Sequence, residues 1–300
     1  SFKIVLKEDS KTLEEVVVIG YGTVKKKDLT GAVAAVKGDD LVAKKTTTLS
    51  TALQGSVSGM MVRRDNNAPG ASASSIHVRG ITTMDNSEPL IIVDGVQCDN
   101  IDYVNSNDVE NISVLKDAAA ASIYGAKAAA GVILITTKRG SQSDLNLTYT
   151  GEFGWEIPTK QPSMVGVTRY LEMNNELLYN DNPGGGLFQL YTSDQVKNWV
   201  KYNKTDPNNY PIVNWRDLML NNSAPRQTHT VSLSGGNKSV RTQASLSYDE
   251  VDGLYDGRGF QRYMFRVNND FTINDKLSAT LDVNIRHAKN RNSIYDPFGD

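Results

Sequence analysis

The chain has 300 residues, a formal net charge of -2 and a hydrophobic fraction of 39%. This length allows one large or two medium domains, and the balanced charge gives no reason to expect binding to nucleic acid or to acidic lipid. Cys98 is the single cysteine, which excludes an intrachain disulfide. No apolar run reaches the roughly 18 to 20 residues of a transmembrane helix, so a helical membrane span is also excluded.

A compact β-branched run lies near the start of the chain, between acids and glycines. It reads Leu13-Glu14-Glu15-Val16-Val17-Val18-Ile19-Gly20-Tyr21-Gly22. Such a run is typical of a buried strand. It also suits an extended segment that adds to the sheet edge of another protein through main-chain hydrogen bonds. The adjacent lysines, residues 25–27, are most simply a solvated charge run that keeps the segment soluble. No obvious partner strand lies nearby.

Short strands, short helices and glycine turns are predicted from residue 29 to residue 140. The strands are expected at residues 32–36, 60–63, 76–78 and 90–93. Apolar residues at helical spacing from residue 49 to residue 57 predict a helix, with Thr48 as its N-cap and Gly59 just beyond its end. We expect the turn acids Asp94 and Asp99 to hydrogen-bond their own backbone, with cation binding as the alternative.

The stretch from residue 109 to residue 140 is predicted to be a strand, a short helix and a strand. The run around Ile112 is rich in β-prone residues, and residues 132–135 form the continuous apolar run of a strand buried on both faces. Asp117 is placed to N-cap the alanine-rich turn between them. Gly125 is placed to end that turn, because a left-handed conformation costs glycine nothing.

Beyond Gly140 the pattern changes to alternating apolar and polar residues. The alternation covers residues 145–155, 230–234, 240–248, 262–271 and 277–286. These segments predict strands with one apolar face, and the loops between them are alternately long and short. Both features are typical of an outer-membrane barrel, although strands of a soluble sandwich also alternate apolar and polar residues. Aromatic residues near the strand ends are expected to form interfacial girdles: Trp155, Tyr248, Phe260, Tyr263 and Phe271.

The longest loop, residues 156–226, has elements of its own. Helical spacing of apolar residues predicts helices around residues 170–178 and 196–200, the second with Ser193 as its N-cap. Tyr191, Trp199 and Trp215 are candidates for stacking on sugar rings or for contact with a lid. The alternative is packing within the insertion.

We find no catalytic constellation and predict that the protein is not an enzyme. His77, His229 and His287 lie far apart and show no metal-ligand spacing, so neither a metal nor a cofactor is expected. The glycines of residues 184–186 lack the following Gly-Lys-Ser/Thr of a phosphate loop.

Several ordered segments carry a resemblance to a known family. They are Ala52-Leu53-Gln54-Gly55, Ala68-Pro69-Gly70, Ile76-His77-Val78-Arg79-Gly80, Pro89-Leu90-Ile91-Ile92-Val93-Asp94-Gly95-Val96, Ile112-Ser113-Val114-Leu115-Lys116-Asp117-Ala118, Ile123-Tyr124-Gly125 and Gly131-Val132-Ile133-Leu134-Ile135-Thr136-Thr137-Lys138-Arg139-Gly140. Together they resemble the plug domain of TonB-dependent outer-membrane transporters, in the SusC/RagA-like branch found in Bacteroidota. The chain departs from the family pattern at residues 126–130, where the family usually has Ser-Arg-Gly-Ala-Asn. The resemblance covers at least residues 13–140.

The resemblance implies an α+β plug domain followed by antiparallel transmembrane β-barrel strands. Residues 1–12 are then the tail of an N-terminal extension domain, and residues 13–24 are the Ton box and its linker. The plug domain is expected at 25–143, and the first barrel strands at 144–300, with residues 156–226 as a long extracellular insertion. A plugged barrel needs about 22 strands, so we expect this chain to be part of a longer one.

The resemblance also implies two sets of site residues. The Ton box comprises Leu13, Glu14, Glu15, Val16, Val17, Val18 and Ile19. The plug landmarks are Arg79, Gly80, Asp94, Gly95, Lys116, Asp117, Tyr124 and Gly125. We expect Arg79 to pair with acids on the inner wall of the barrel, with a solvent-exposed arginine as the alternative.

The function implied is active import of a bulky nutrient, a glycan or a peptide, across the outer membrane. The implied partners are TonB with ExbB and ExbD, a SusD-like surface lipoprotein, the cargo and outer-membrane lipid, and no nucleic acid. Two other hypotheses stay open: a surface-exposed glycan-binding or adhesion protein without transport, and an outer-membrane signalling receptor.

Overall fold

The computed structural model describes residues 16–19, 22–25, 33–64, 68–70, 74–80, 87–116 and 124–291. The chain divides into two compact units. The first contains the residues up to 154 together with 225–253 and those from 258 onwards, and the second contains residues 155–224 and 254–257.

The first unit begins with an α/β part built from short elements. They are β1 (Val16–Ile19), β2 (Gly22–Lys25), β3 (Val33–Lys37), α1 (Gly38–Val42), α2 (Leu49–Leu53), β4 (Met60–Arg64), β5 (Ser74–Val78), β6 (Leu90–Val93), β7 (Val96–Cys98), β8 (Val109–Leu115) and β9 (Val132–Thr137). Single 3-10 turns lie at Ile101–Tyr103, Ser106–Asp108 and Ala126–Ala128.

A five-stranded sheet in the order β3-β8-β9-β6-β7 holds the core of the α/β part. Only β6 and β9 pair in parallel, with Leu90 opposite Val132, and the other neighbours are antiparallel. The β9 run is apolar without alternation because both of its faces are buried, as the sequence predicts. Ile112 of β8 and Ile133 of β9 are fully buried, so the central strands run through the core.

The β4 and β5 strands form a separate antiparallel pair beside this sheet, with Met60 opposite Val78. The helix predicted before β4 is shorter than expected. It ends at Leu53, and Gly55 and Gly59 both have φ +70°, so the chain turns twice before β4. Thr48 is the N-cap residue, but its side chain makes no capping hydrogen bond.

Five long strands form the second sheet of the first unit. They are β10 (Asn146–Glu156), β11 (Ala224–Gly236), β12 (Val240–Asp252), β13 (Gly259–Asn274) and β14 (Leu277–Arg291), in chain order across the sheet. The pairs from β11 to β14 are antiparallel. The predicted strands after Gly140 are therefore confirmed, although most are longer than expected. Short turns join β11 to β12 and β13 to β14, and a longer one joins β12 to β13.

The two faces of the long sheet differ in chemistry. On β13, Arg262, Arg266 and Asn268 are buried, whereas Tyr263 and Phe265 between them are exposed. This follows from the two-residue period of a strand, which sends successive side chains to opposite faces. One face is therefore polar and covered, and the other is apolar and open.

Cross-strand register continues the apolar face over neighbouring strands. Leu246 lies opposite Phe265, which lies opposite Ile285, and all three are exposed. In the next row Tyr248 and Tyr263 are neighbours, with ring centroids 4.8 Å apart. The predicted place of Phe260 in an aromatic girdle is wrong, because Phe260 is buried on the polar face.

The second unit is built around helices α3 (Val167–Asp181), α4 (Ser193–Thr205) and α5 (Trp215–Met219). Helix α4 begins with a capping box in which Thr192 and Gln195 exchange side-chain and backbone hydrogen bonds. Ser193 was predicted as the N-cap, and that prediction is wrong by one residue. In the described part of the chain, no helix has the length and apolar character needed to cross a membrane.

The alternation on β14 generates a testable prediction. The resemblance implies that the apolar face meets lipid, and Leu281 lies on that face, 54% exposed. In the full-length protein, Leu281→Arg is expected to cost about 2 to 4 kcal/mol of stability near the bilayer midplane. Thr280→Arg, on the opposite face and beside Asp270 of β13, is expected to cost much less. The temperature at which the protein loses its fold-dependent gel mobility measures both, and equal losses would contradict the lipid-facing assignment.

Candidate functional site at the interface of the two sheets

The α/β part covers the polar face of the long sheet within the first unit. The contact is made by charged and amide side chains of β13, each of which projects from the covered face. Burying such groups is favourable only if each finds a hydrogen-bond or charge partner. The partners therefore define what this interface can do.

Arg262 is the most extensively bonded of these side chains. Its Nε donates to Asp249 Oδ2 at 2.8 Å, and Asp249 lies directly opposite on β12. Its terminal nitrogens donate to two backbone carbonyls of the α/β part, Thr47 O at 2.8 Å and Asp102 O at 3.2 Å. Arg262 and Asp249 are 4% and 2% exposed, so the charge pair is buried. Arg262 is thus neutralised within its own sheet and binds the α/β part through neutral acceptors.

Asp94 and Arg266 form a second buried pair, which joins the two sheets directly. Asp94 Oδ2 lies 3.3 Å from Arg266 Nη1. The same carboxylate accepts from Thr137 at its backbone N–H, at 2.9 Å, and at its hydroxyl, at 2.6 Å. The prediction that Asp94 hydrogen-bonds its own backbone is wrong, because its side chain reaches across to the end of β9 instead. Its φ of 49° places it in the left-handed region, which is uncommon for a residue other than glycine.

The end of β9 is fastened at two further points. Asn268 Nδ2 donates to Thr137 Oγ1 at 2.7 Å and to Lys138 O at 2.9 Å. Arg139 donates to Asp270 at 2.9 Å and makes two bonds to Asp282, at 3.1 and 2.6 Å. The paired bonds to Asp282 fix the orientation of the guanidinium group as well as its charge.

Asp102 is a buried carboxyl on the α/β side of the interface. It accepts from Ser50 at the backbone N–H, at 2.8 Å, and at the hydroxyl, at 2.9 Å. Burial raises the pKa of Asp102, and the Ser50 hydrogen bonds oppose that rise. A raised acid pKa means that the folded state binds the proton more tightly than the unfolded chain. Its contribution to stability is therefore greatest at low pH and is lost as the pH rises through the folded-state pKa.

The interface is built to attach the α/β part to the long sheet rather than to catalyse a reaction. Among the described residues, no group of three or more His, Cys, Asp and Glu side chains could hold a metal ion. Its arginines are instead paired with carboxylates or backbone carbonyls, and the carboxyl of Asp102 is held by Ser50. An arrangement of buried pairs like this fixes the register and position of one element on another.

The other plug landmarks have the following local environments. Arg79, at φ 61°, and Gly80 form the turn after β5, and the Arg79 N–H donates to Gly59 O at 2.8 Å. Lys116 Nζ donates to Ser58 Oγ at 3.3 Å. Tyr124 packs on the smaller of the two apolar clusters of the α/β part.

The predicted glycine turns have the expected backbone geometry. Gly95 and Gly125 both have positive φ, at 89° and 72°. Gly95 completes the turn between β6 and β7, next to Asp94. Asp117 lies outside the described residues, so its predicted capping role stays a prediction.

The proposed Ton box is only partly described, because Leu13, Glu14 and Glu15 lie outside the described residues. Residues Val16–Ile19 form β1, which pairs antiparallel with β2, with Val17 opposite Val24. We expected no partner strand nearby, and the structure differs: the next few residues supply one.

The aromatic residues of the second unit have separate environments. Trp199 is 9% exposed, donates from Nε1 to Pro211 O at 3.2 Å, and packs edge-on against Tyr191 and Tyr210. It is therefore a core residue of the insertion, as the packing alternative predicted. Trp215 is 65% exposed and remains a candidate for contact with a ligand or a partner.

Sequence reasoning missed Arg139, Arg262, Arg266 and Asn268 as members of one site. The alternation of β13 placed three of them on the polar face, so a signal for orientation was present. Their partners are 13 to 215 residues away along the chain, and nothing in a single sequence pairs residues at such distances. The pairing of Arg79 with acids of the wall stays a prediction, and Asp270 and Asp282 contact Arg139.

Comparisons with known proteins identify relatives of the chain. Residues 25–132 match the family model described as the TonB-dependent receptor plug domain. TonB-dependent receptor P26 of Formosa agariphila is 34% identical, over 96% of this chain and 28% of the relative. TonB-dependent receptor SusC of Bacteroides thetaiotaomicron is 33% identical, over 96% and 28%. The chain thus spans about 28% of the length of these curated relatives.

Solved structures give the same answer at the level of the fold. The RagAB peptide importer in its open-open state matches with a TM-score of 0.75 and 30% identity, over 95% of this chain and 33% of the other. The unliganded ferric citrate transporter FecA matches with a TM-score of 0.56 and 14% identity, over 88% and 32%, which indicates a shared fold only. The family consists of transporters and not of enzymes, as the sequence predicted.

The buried pair of Arg262 and Asp249 yields a prediction about stability. Arg262→Met in the full-length protein leaves Asp249 buried without a counterion and is expected to cost about 3 to 5 kcal/mol. The double variant Arg262→Met, Asp249→Leu is expected to lose less than the single variant, because no charge is stranded. Denaturant midpoints in detergent measure both.

The exposed pair of Arg169 and Glu176 on α3 supplies the matched control. Arg169→Met is expected to leave the midpoint unchanged, since water screens that pair. Equal losses for the single and double variants at Arg262 would contradict the role assigned to charge pairing, and would assign the loss to the carbonyl contacts.

Proposed function

This chain belongs with the SusC/RagA-like TonB-dependent receptors, and from that premise we propose that it forms part of an outer-membrane importer of bulky nutrients. In the proposed mechanism, the α/β part is a plug that closes the lumen of the barrel. Energy from TonB, with ExbB and ExbD, moves the plug and admits the cargo.

One observation supports this proposal most directly, namely the contrast between the two faces of the long sheet. The face that carries Arg262 and Asn268 is buried against the α/β part, whereas large apolar side chains such as Leu147 and Phe153 are exposed on the other. A soluble protein rarely leaves so continuous an apolar surface open to water. A sheet with lipid on one side and a polar plug on the other accounts for both faces.

The cargo proposed is a glycan or a peptide. RagAB is a peptide importer, which supports a peptide for this chain, and the SusC/RagA-like resemblance supports a glycan equally. We propose that a SusD-like lipoprotein covers the outer mouth and that residues 156–226 lie on that side. Growth of a deletion strain on glycans and on peptides as sole nutrients tests the cargo. Unimpaired growth on every nutrient would contradict import as the function.

Energy coupling is proposed to act through β1. The β1 strand pairs with β2 in the same chain, so the main-chain groups of β1 that face β2 are occupied. Pairing with the sheet edge of TonB then requires either the free edge of β1 or opening of the β1–β2 pair. Both routes depend on main-chain hydrogen bonds from β1.

Val17→Pro is expected to abolish uptake, because proline removes an N–H donor and fixes φ. Outer-membrane abundance and surface binding of cargo should be retained, since the plug and the barrel follow β1 in the chain. Val17→Ile, which keeps strand propensity, should transport normally. Abundance, cargo binding and uptake are measured in the same cells.

Val24→Pro is the matched control, because Val24 lies opposite Val17 on β2. It weakens the β1–β2 pair and leaves β1 itself unchanged, so it should retain uptake. Normal uptake by Val17→Pro would rule out coupling through β1. Loss of abundance together with uptake would instead assign β1 to the core of the plug.

The proposed topology makes a separate prediction. An epitope tag at Gly185, in the insertion, should be labelled on intact cells that produce the full-length protein. A tag at Asn237, in the short turn between β11 and β12, should be labelled only after the outer membrane is breached. Labelling of Asn237 alone on intact cells would reverse the proposed orientation of the sheet.

A further inference from the structure

Besides the buried carboxyl of Asp108, which hydrogen-bonds Ser245 of β12, the α/β part and the long sheet share two sets of polar contacts. The sets differ in where each charge finds its partner. We call the first the neutral set. In it, uncharged groups of the α/β part contact the sheet. Arg262 donates to Thr47 O and Asp102 O, and Arg226 donates to Lys45 O at 2.5 Å. Asn107 Nδ2 donates to Thr230 Oγ1 at 3.4 Å, and the guanidinium carbon of Arg286 lies 5.1 Å from the ring centroid of Tyr103.

We call the second the charged set. It comprises Asp94 with Arg266, Arg139 with Asp270 and Asp282, and Asn268 with the end of β9. Here one member of each ion pair belongs to the α/β part and the other to the sheet. The Asp94 and Arg266 side chains are each 8% exposed, so water does not screen their pairing.

The two sets respond differently to separation. If the neutral set parts, Arg262 keeps Asp249 on the sheet at 2.7 Å, and Asp102 keeps Ser50 on the α/β part. The α/β part then loses contacts of carbonyls, an amide and an aromatic ring. The guanidinium groups of Arg226, Arg262 and Arg286 take water in place of these neutral partners, so no ion pair is broken.

If the charged set parts, Asp270 keeps Arg241 on its own sheet at 3.7 Å, but Asp94 and Arg266 each lose a counterion that is unscreened in the closed interface. Water must then hydrate both charges, so this separation costs more than that of the neutral set.

Among the residues that the structure describes, one ion pair lies within the region of the neutral set. Lys45 Nζ contacts Glu152 at 2.6 Å. The Lys45 side chain is 54% exposed, so solvent already screens this pair and can take its place. The pair of Lys45 and Glu152 therefore contributes less to keeping the two parts together than the buried pair of Asp94 and Arg266.

The charged set also lies where the chain passes from one sheet to the other. Gly140 follows Arg139 directly, and a Cβ at Gly140 would lie 2.4 Å from the backbone N of Thr242 at the start of β12. The backbones touch there, and only glycine allows that approach. Covalent connection, close backbone contact, the buried pair of Asp94 and Arg266 and the partly exposed pairs of Arg139 therefore coincide at one end of the interface.

We propose that the charged set is a permanent anchor and the neutral set a releasable contact, so that the passage for cargo opens beside residues 45–47 and 102–107. This proposal rests on the proposed import function and specifies which side of the plug moves. Residues 94 and 137–139 stay on the wall throughout transport. Arg262 is a positioning residue, because it holds the closed state and remains neutralised by Asp249 in the open one.

The test joins each set covalently in the full-length protein, after Cys98→Ser removes the native thiol. Asn107→Cys with Thr230→Cys joins the neutral set, and Thr137→Cys with Asn268→Cys joins the charged set. Both pairs replace side chains in direct hydrogen-bond contact. Cells that produce each protein are treated with an oxidant or with a reductant. Alkylation mass shifts give the fraction of protein that carries the disulfide. The measured quantity is the ratio of uptake after oxidation to uptake after reduction of the same protein.

Oxidation of the 107–230 pair is expected to lower uptake by about tenfold or more, because the link removes the open state. Oxidation of the 137–268 pair should leave the ratio at unity. The proposal would be overturned if oxidation lowered uptake with both pairs or with the 137–268 pair alone. It would also be overturned if oxidation of neither pair changed uptake.

Two further measurements keep the outcome interpretable. Surface abundance shows whether each protein folds. If the 137–268 protein fails to assemble, Arg139→Cys with Asp282→Cys replaces it and is joined by a bifunctional thiol reagent, because two cysteines at an arginine–aspartate contact are too short to form a disulfide. Uptake by the unsubstituted protein with and without TonB tests the import function separately. Absence of TonB-dependent uptake there would contradict the proposed function, whatever the cross-linked proteins do.

Discussion

The burial of arginine is the constraint on which the first unit depends. A covered sheet face that carries Arg262 and Arg266 is stable only if every guanidinium group finds carboxylates or carbonyls in fixed places. Asp249 meets this need from the neighbouring strand, and Asp94 meets it from the α/β part. The position of the α/β part on the sheet follows from these demands, because apolar contacts alone would tolerate sliding and a buried ion pair does not.

Much of the fold could be predicted from local patterns. Two-residue alternation gave the long strands and their polar face, and continuous apolar runs gave the central strands of the α/β part. Partners could not be predicted, since Arg262 and Thr47 are 215 residues apart. The β1–β2 pair was missed for a different reason: the lysines after Val24 suggested a solvated run, but a strand edge tolerates lysine as well.

The second unit illustrates how packing decides between two uses of an aromatic residue. Trp199 and Trp215 are equivalent in the sequence as amphipathic rings, and either could stack on a sugar. The capping box at Thr192 sets where α4 begins, and Trp199 then faces Leu171 and Val196 in a small core. Trp215 lies in a helix of five residues, none of which is buried. Helical phase, rather than residue type, therefore separates the structural tryptophan from the available one.

The edge position of β3 determines how a mechanical load crosses the α/β part. Val33 pairs with Leu115 at one end of the sheet, and Thr137 pairs with Val109 at the other. A pull applied upstream of Val33, against attachment at Thr137, runs along the strands, and the hydrogen bonds between β3 and β8 lie across that line. They are then strained together in shear, rather than peeled one at a time. Such a sheet transmits tension without unfolding, and the contacts between the α/β part and the long sheet separate first.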